Sequence, residues 1–174
     1  MKIRMAGFGG QGQVTAGILL GHAAVIEGHN AMQTQSYGSA TRGGLTTCDV
    51  TIEEGDINEV HPERFDVLVA FCQEASDTFA PLLDDEGILV YEEDLVTPPE
   101  DLEQRKVSSR TTHLATTELG RQVCSNVVML GFLVGSVPEL VSVPSVERAL
   151  EEQLAPGIVQ LNLKALRLGL DQAT

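Results

Sequence analysis

The stretch KIRMAGFGGQGQVTAGILLGHAAVIEG, residues 2–28, decides the fold class of this sequence. Residues 2–6 alternate charged and apolar side chains, which predicts a short strand. Residues 7–12 form a glycine-rich turn, and residues 13–27 carry apolar side chains at helical spacing up to Gly28, a common helix stop. A strand, a tight turn and a helix in this order are the opening unit of a doubly wound α/β domain.

The rest of the chain carries further strand patterns and then turns helical. Residues 45–52 alternate apolar and polar side chains, which is typical of a half-buried strand, whereas residues 66–72 include a continuous apolar run that predicts a central strand. The other predicted elements are strands at residues 30–35 and 87–91, a polar loop at 36–44, and helices at 125–135, 144–154 and 160–170. The prediction is a single domain over residues 1–174 with three layers (α/β/α), a mostly parallel, Rossmann-like sheet and a helical C-terminal third.

Composition narrows the classes of function. The chain has 11 Lys and Arg against 25 Asp and Glu, a net charge of −14. Because such a surface repels phosphates and anionic lipids, we expect no nucleic-acid and no membrane partner. The longest apolar run, residues 127–137, is too short to span a bilayer. Three distant cysteines without a C-x-x-C pair and the lack of a leader pattern favour a reducing, cytoplasmic location.

The glycine turn is the first candidate binding element. Gly7, Gly9 and Gly12 satisfy the pattern G-x-G-x-x-G between a strand and a helix, where backbone amides at a helix N-terminus can hold a diphosphate. The candidate binding residues are Gly9, Gly10, Gln11 and Gly12. An equally weighted alternative is a tight turn that only lets the strand and the helix pack closely. Residues 31–36 contain no acid for a ribose hydroxyl, which argues against NAD.

A polar segment that follows the second predicted strand is the second candidate. It offers hydroxyls, an amide, a guanidinium and flexible backbone, a set that suits a phosphate or a carboxylate. Its candidate residues are Gln35, Ser36, Tyr37, Gly38, Arg42, Gly43 and Gly44. The alternative is a hydrogen-bonded loop that docks on a partner chain.

Patterns of catalytic and metal-binding residues are missing from the sequence. The four histidines are scattered without ligand spacing, and no serine has the context of a nucleophile elbow. Asn126, at the start of an apolar helical segment, is interpreted as a helix cap. We therefore expect neither a catalytic residue nor a metal ligand in this chain.

A set of motifs extends over nearly the whole chain. The motifs are Gly7-Phe8-Gly9-Gly10-Gln11-Gly12, Gln35-Ser36-Tyr37-Gly38, Thr41-Arg42-Gly43-Gly44, Asp66-Val67-Leu68-Val69-Ala70 with Gln73-Glu74, Asn126-Val127-Val128-Met129-Leu130-Gly131 and Asn162-Leu163-Lys164-Ala165. Together they resemble the gamma subunit of 2-oxoacid:ferredoxin oxidoreductases, the equivalent of domain III of the single-chain pyruvate:ferredoxin oxidoreductase. The family often has Pro-Glu-Ala before Arg-Gly-Gly, where this sequence has Ser39-Ala40-Thr41. The 2-oxoglutarate type is the best match, beside pyruvate and branched-chain types.

The resemblance implies a complex that oxidatively decarboxylates a 2-oxo acid to an acyl-CoA and passes electrons through iron–sulfur clusters to ferredoxin. Thiamine diphosphate, magnesium and the clusters are then expected on alpha, beta and ferredoxin-like (delta) subunits. This gamma-type chain would hold none of them; it would assemble the complex and help bind coenzyme A through the amides of residues 9–12 and the side chain of Arg42. The apolar helices at 125–135 and 160–170 would supply buried contacts, and an isolated chain is expected to self-associate.

Three other readings stay open on the sequence alone. One is a free-standing Rossmann-type nucleotide-binding protein, which would bind NAD(P) or FAD without partners. Another is a regulatory or scaffold protein that binds only other proteins. The third is a relative within the same family that acts on an arylpyruvate such as indolepyruvate.

Overall fold

The computed structural model describes residues 1–38 and 44–173. Within these residues the chain forms six strands and six α-helices, together with two single 3₁₀ turns at Ala80–Leu82 and Gln122–Cys124. The strands are β1 Lys2–Phe8, β2 Asn30–Tyr37, β3 Leu45–Glu53, β4 Phe65–Ala70, β5 Leu83–Glu92 and β6 Arg105–Ser109. The helices are α1 Gln13–Ile26, α2 Gln73–Phe79, α3 Thr111–Leu119, α4 Ser125–Ser136, α5 Val143–Gln153 and α6 Pro156–Leu170.

All six strands form one sheet in the order β2-β3-β1-β4-β5-β6. Strands β1, β4, β5 and β6 pair in parallel, whereas β3 is antiparallel to both of its neighbours, β1 and β2. Helix α2 covers one face, and the other five helices lie on the opposite face, each face with its own apolar cluster. This arrangement confirms the predicted α/β fold with a mostly parallel sheet and a helical C-terminal third.

Strand β3 departs from the prediction of a half-buried strand. Its polar residues Thr47, Asp49 and Thr51 are buried, as are the apolar residues on its other face, because β3 lies inside the sheet between β1 and β2. Asp49 accepts two hydrogen bonds from the Arg4 guanidinium, Nε at 2.7 Å and Nη2 at 2.6 Å. Burial of this carboxylate is tolerated because the arginine neutralises it.

The partly buried guanidinium of Arg4 also lies beside two aromatic rings. The Arg4 guanidinium lies 4.1 Å from the ring centre of Phe65 and 4.6 Å from that of Phe79. Cation–π contact on the ring faces and a bidentate carboxylate together satisfy the charge inside the sheet. This cluster joins β1, β3, β4 and α2 across the face that α2 covers.

The predicted polar loop at residues 36–44 is partly wrong, because β2 continues through Ser36 to Tyr37. The cause is pairing: Ser36 lies opposite Thr47 and Tyr37 opposite Thr46 in the antiparallel ladder with β3. Of the remaining loop positions, residues 39–43 lie outside the described part of the chain.

Helices α4 and α6 cross in very close contact. A Cβ on Gly131 would lie 2.1 Å from the Leu166 carbonyl oxygen, and a Cβ on Gly169 would lie 1.9 Å from the Val128 carbonyl oxygen. Only glycine at both positions allows the two backbones to approach this closely. The two helices were expected to supply buried contacts, and at their crossing they make such contacts with each other inside this chain.

Candidate binding cavity

The glycine turn has the backbone geometry that its sequence predicts. Gly10 has φ +99° and Gly12 has φ +82°, values that side-chain-bearing residues rarely adopt. The backbone N–H of Gln11 donates to the Phe8 carbonyl (3.2 Å). The backbone N–H groups of Gly9, Gly10 and Gly12 donate to no protein group among the described residues. Three backbone N–H groups are thus available to a ligand.

Two glutamine side chains hold this turn. Gln11 Oε1 accepts from the Phe8 amide (2.6 Å), and Gln11 Nε2 donates to the Phe71 carbonyl at the end of β4 (2.9 Å). Gln13 is buried, and its Nε2 donates to the carbonyls of Gly7 and Phe8, both at 3.1 Å. The turn is therefore fixed by side-chain amides before any ligand binds.

The N-termini of α1 and α4 meet at this turn. Neither helix has a side-chain hydrogen bond at its N-cap. The first amide of α4, that of Ser125, donates to the Gln122 carbonyl in the preceding 3₁₀ turn, so the positive end of the helix dipole is available at α1. Asn126 Nδ2 donates to the Gly12 carbonyl at 3.2 Å, so this side chain links the first turn of α4 to the start of α1. The interpretation of Asn126 as the cap of its own helix is wrong.

A cavity of about 560 Å³ opens between these helix ends. Its lining residues come from the glycine turn, the first turn of α1, β2, β3, α4 and the α5–α6 corner. They are Gly9, Gly10, Gly12, Gln13, Val14, Thr15, Tyr37, Thr46, Val123, Cys124, Asn126, Val127, Leu154, Ile158, Leu161 and Asn162. The site thus lies at the carboxyl end of β1, where doubly wound folds bind ligands.

The predicted site residues fall into three groups. Gly9, Gly10, Gly12 and Tyr37 line the cavity, and the side chain of Gln11 lies within the turn. Gln35, Ser36, Gly38 and Gly44 are not among the lining residues; Gln35 Oε1 accepts from the Tyr37 hydroxyl at 2.8 Å. Arg42 and Gly43 lie outside the described residues.

The walls contributed by the 3₁₀ turn before α4, by α4, by the α5–α6 corner and by α6 were not foreseen. Ile158 and Leu161 are apolar residues of α6, and their sequence pattern is that of an ordinary helix. Asn126 gave a weak signal, since it is an amide within an otherwise apolar helical segment, whereas Asn162 lies in a helix that also contains Gln160, Lys164 and Arg167. Only the close crossing of α4 and α6 brings these residues to the glycine turn.

No charged side chain of the described residues lines the cavity. The one titratable thiol there, Cys124, is buried; burial raises its pKa above the ordinary value, and the nearby charge of Arg121 offsets this only in part. A protonated thiol is a poor nucleophile, so the walls can bind and orient a ligand but offer no activated acid, base or nucleophile.

The described residues also offer no metal site, since they contain no cluster of three or more His, Cys, Asp or Glu side chains with suitable geometry. Cys48, Cys72 and Cys124 are free and buried in separate elements, which does not fit an iron–sulfur cluster. Among the same residues, every helix is too short or too polar to cross a membrane.

Residues 2–172 match the family described as pyruvate ferredoxin/flavodoxin oxidoreductase. The chain belongs to this family. Among its curated members, subunit KorC of the 2-oxoglutarate synthase of Methanocaldococcus jannaschii is 34% identical, with 99% of this chain and 93% of the relative covered. KorC of Methanothermobacter marburgensis is 36% identical over 97% of this chain and 94% of the relative.

The pyruvate ferredoxin/flavodoxin oxidoreductase family also accounts for the fold. The crystal structure of a keto/oxoacid ferredoxin oxidoreductase gamma subunit from Geobacter sulfurreducens superimposes with a TM-score of 0.88 at 33% identity. The match covers 99% of this chain and 97% of that subunit. The resemblance to gamma subunits drawn from the motifs is thereby confirmed.

Proposed function

We propose that the chain is the gamma-type subunit of a multisubunit 2-oxoacid:ferredoxin oxidoreductase that converts a 2-oxo acid to an acyl-CoA. The single observation that carries this proposal is similarity to KorC subunits of 2-oxoglutarate synthases along almost the full length of both chains. The same similarity favours 2-oxoglutarate as the 2-oxo acid over pyruvate, branched-chain or aryl substrates.

In this proposal this chain binds coenzyme A, and the other subunits carry out the reaction steps. Thiamine diphosphate would supply the acyl-carrying adduct and iron–sulfur clusters would supply the electron path to ferredoxin, both on alpha, beta and delta subunits. The uncharged walls of the cavity support a binding role, since a group that must transfer protons or electrons needs titratable or redox-active neighbours.

The ligand proposed for the cavity is coenzyme A. The free amides of Gly9, Gly10 and Gly12, with the first turn of α1, would hold its anionic phosphates. The apolar side chains of Val14, Val127 and Leu161 would exclude water from the enclosed part of the molecule. This chain would thus position coenzyme A for attack on an acyl group carried by another subunit.

The subunit assignment is tested by co-expression with the alpha, beta and delta chains of the same organism. The measured quantity is the reduction of ferredoxin or a viologen that depends on both 2-oxo acid and coenzyme A. We expect this activity only when all chains are present and expect 2-oxoglutarate to give the highest kcat/KM. Full activity without this chain would refute the assignment.

The coenzyme A role is tested by placing a negative charge at the glycine turn. Gly9 has no positive φ, and a Cβ built on it meets no atom within 4 Å, so a side chain is tolerated there. Gly9→Asp should raise the KM for coenzyme A about 10-fold or more by repulsion of its phosphates, with the KM for the 2-oxo acid unchanged.

The matched control is Gly9→Asn, which has the same size without the charge and should raise the KM far less. Equal KM values for the two variants would refute phosphate binding at this turn. Arg42→Ala tests the contribution predicted for Arg42 in the same assay: assembly should persist, and the KM for coenzyme A should rise.

A further inference from the structure

Strand β2 forms an open edge of the sheet. It pairs with β3 from Asn30 to Tyr37, and among residues 1–38 and 44–173 no strand pairs with its other side. The Gly38 N–H donates to the Leu45 carbonyl (2.9 Å), so by alternation the even-numbered residues of β2 bond to β3. The backbone groups that point outward belong to Ala31, Gln33, Gln35 and Tyr37. Each of these residues leaves one donor and one acceptor for another strand.

This edge lacks the features that normally prevent strands from pairing. β2 contains no charged residue and no proline, and its pairing with β3 has no bulge, although 21% of the chain is charged. The opposite edge of the sheet, β6, is five residues long and carries the exposed cations Arg105 and Lys106. Because short length, charge, proline and bulges are the usual protection of an edge, β6 is protected, whereas β2 is suited to pairing.

Helix α1 flanks the open edge with apolar side chains. A groove of about 210 Å³ lies between β2 and α1, and Ile18, Gly21, His22 and Val25 line it as one stripe of the helix. Ile18 is 41% exposed and Val25 is 54% exposed. The edge and the stripe therefore offer backbone hydrogen bonds and apolar contact on the same side of the molecule.

We propose that a second copy of this chain pairs with β2 about a two-fold axis at Thr34, so that two sheets become one. Such an axis makes the two strands antiparallel. Gln33 of one copy then pairs with Gln35 of the other, and Ala31 pairs with Tyr37, so every outward backbone group forms a hydrogen bond. The two Thr34 side chains lie opposite each other, and the exposed stripes of the two α1 helices pack together.

The charges around β2 favour this antiparallel arrangement. Acidic residues lie at one end of the edge, where Glu53 is opposite Asn30 and Glu54 follows it. At the other end, Tyr37 and Thr46 opposite it are uncharged. A two-fold axis at the middle of the strand keeps the acidic ends of the two copies about 25 Å apart, well beyond the Debye length of about 8 Å. The net charge of −14 therefore opposes contact along β2 only weakly.

The size of the surface is sufficient for a dimer. An eight-residue strand extends about 27 Å, and the sheet with the adjoining helix layer is about 20 Å deep. The contact then buries about 500 Å² on each copy and about 1,000 Å² in total, which is the lower bound for a specific interface. We therefore expect a dimer with a dissociation constant in the micromolar range.

The oligomeric state of the full chain tests the proposal without any measurement of activity, so the outcome does not depend on the subunit assignment. Sedimentation velocity between about 1 and 200 µM should show a transition from the monomer mass of 18.6 kDa to twice this mass. Thr34→Lys places two like charges opposite each other and should raise the dissociation constant about 10-fold or more, as should Thr34→Glu. An equimolar mixture of Thr34→Lys and Thr34→Glu should restore the dimer, because opposite charges then meet at the axis.

Two further sets of variants are controls. Gln160→Lys and Gln160→Glu, at an exposed position of α6, change the net charge equally and should leave the dissociation constant unchanged. Gln33→Pro removes an outward N–H without loss of a bond to β3, so it should weaken the dimer about 10-fold while the circular dichroism spectrum stays native.

Three results would overturn the proposal. They are a monomer at every concentration, a dimer that neither Thr34→Lys nor Gln33→Pro weakens, and a mixture of the two Thr34 variants that stays monomeric. If the chain alone is monomeric and the amides of β2 are protected from hydrogen exchange only in the reconstituted complex, the edge binds a strand of another subunit and not a second copy.

Discussion

The glycine turn allows a graded test of the backbone geometry on which the cavity depends. Alanine at Gly12 would need φ +82°, and its Cβ would lie 2.6 Å from Asn126 Nδ2 and 2.8 Å from Asn126 Cβ and Cγ. The left-handed conformation costs about 1–2 kcal/mol for alanine, and the collision adds about 1–3 kcal/mol. Gly12→Ala should therefore lower the free energy of unfolding by about 2–4 kcal/mol.

The neighbouring glycines are internal controls. Alanine at Gly10 meets no atom within 4 Å but needs φ +99°, so Gly10→Ala should cost only the conformational strain. Gly9 has neither constraint, and Gly9→Ala should be neutral or stabilise by up to about 1 kcal/mol, since alanine restricts the unfolded chain. The expected order of stability is Gly9→Ala, then Gly10→Ala, then Gly12→Ala.

The assay is urea unfolding of the full chain followed by far-UV circular dichroism, because the protein has no tryptophan. In an Asn126→Gly background, which removes all three colliding atoms, Gly12→Ala should cost no more than Gly10→Ala does. The reasoning is refuted if Gly12→Ala and Gly9→Ala unfold at the same urea concentration, or if the Asn126→Gly background relieves nothing.

Three further predictions concern the fold. Gly169→Ala, which places a carbon 1.9 Å from a backbone oxygen of α4, should cost about 3 kcal/mol or more in urea unfolding, whereas Gly157→Ala on the same helix meets nothing and should be neutral or stabilising. Asp49→Ala, which leaves the partly buried guanidinium of Arg4 without its carboxylate, should cost about 2–3 kcal/mol. Asp84→Ala, which breaks an exposed pair, should cost less than about 1 kcal/mol. Burial raises the pKa of the Cys48 thiol from 9.0 to about 11. Between about pH 9 and pH 11 the thiol therefore ionises in the unfolded chain but not in the folded one, and the free energy of unfolding should fall. Cys48→Ala should reduce this loss of stability.

Each of these predictions can fail clearly. Equal losses within either pair of substitutions would contradict the crossing of α4 and α6 or the enclosed ion pair. An alkaline stability curve that Cys48→Ala does not change would show that this thiol ionises equally in both states.

Local patterns in the sequence were enough to predict the opening unit of the fold. β1, the glycine turn and α1 depend on alternation, on glycine at positive φ and on helical spacing, all of which act between near neighbours. The burial of β3 could not be read this way, because the polar alternation of Thr47, Asp49 and Thr51 is typical of an exposed face. Asp49 is on β3, which lies between β1 and β2, and its charge is paired with Arg4, a residue of the neighbouring strand that is distant in sequence.

The same difference between local pattern and tertiary packing applies to the residues of the cavity. Gly9, Gly10 and Gly12 could be predicted as cavity residues because the glycine pattern is local, whereas Asn126 and Asn162 reach the cavity only through tertiary packing. Nothing in the helical pattern of α6 distinguishes a residue that faces a ligand from one that faces α4. The positions of these amides follow from Gly131 and Gly169, which set how closely the two helices approach.

The place of β1 in the sheet has a consequence for biosynthesis. Lys2 pairs with Thr51 on one side and Ile3 pairs with Val67 on the other, so β1 has no sheet partner during synthesis until β3 and β4 have followed it. Loop closure over such separations is slow compared with helix formation. The nascent chain therefore leaves both edges of β1 unpaired for longer than it leaves a local helix unformed, and such an unpaired strand is a site for chaperone capture.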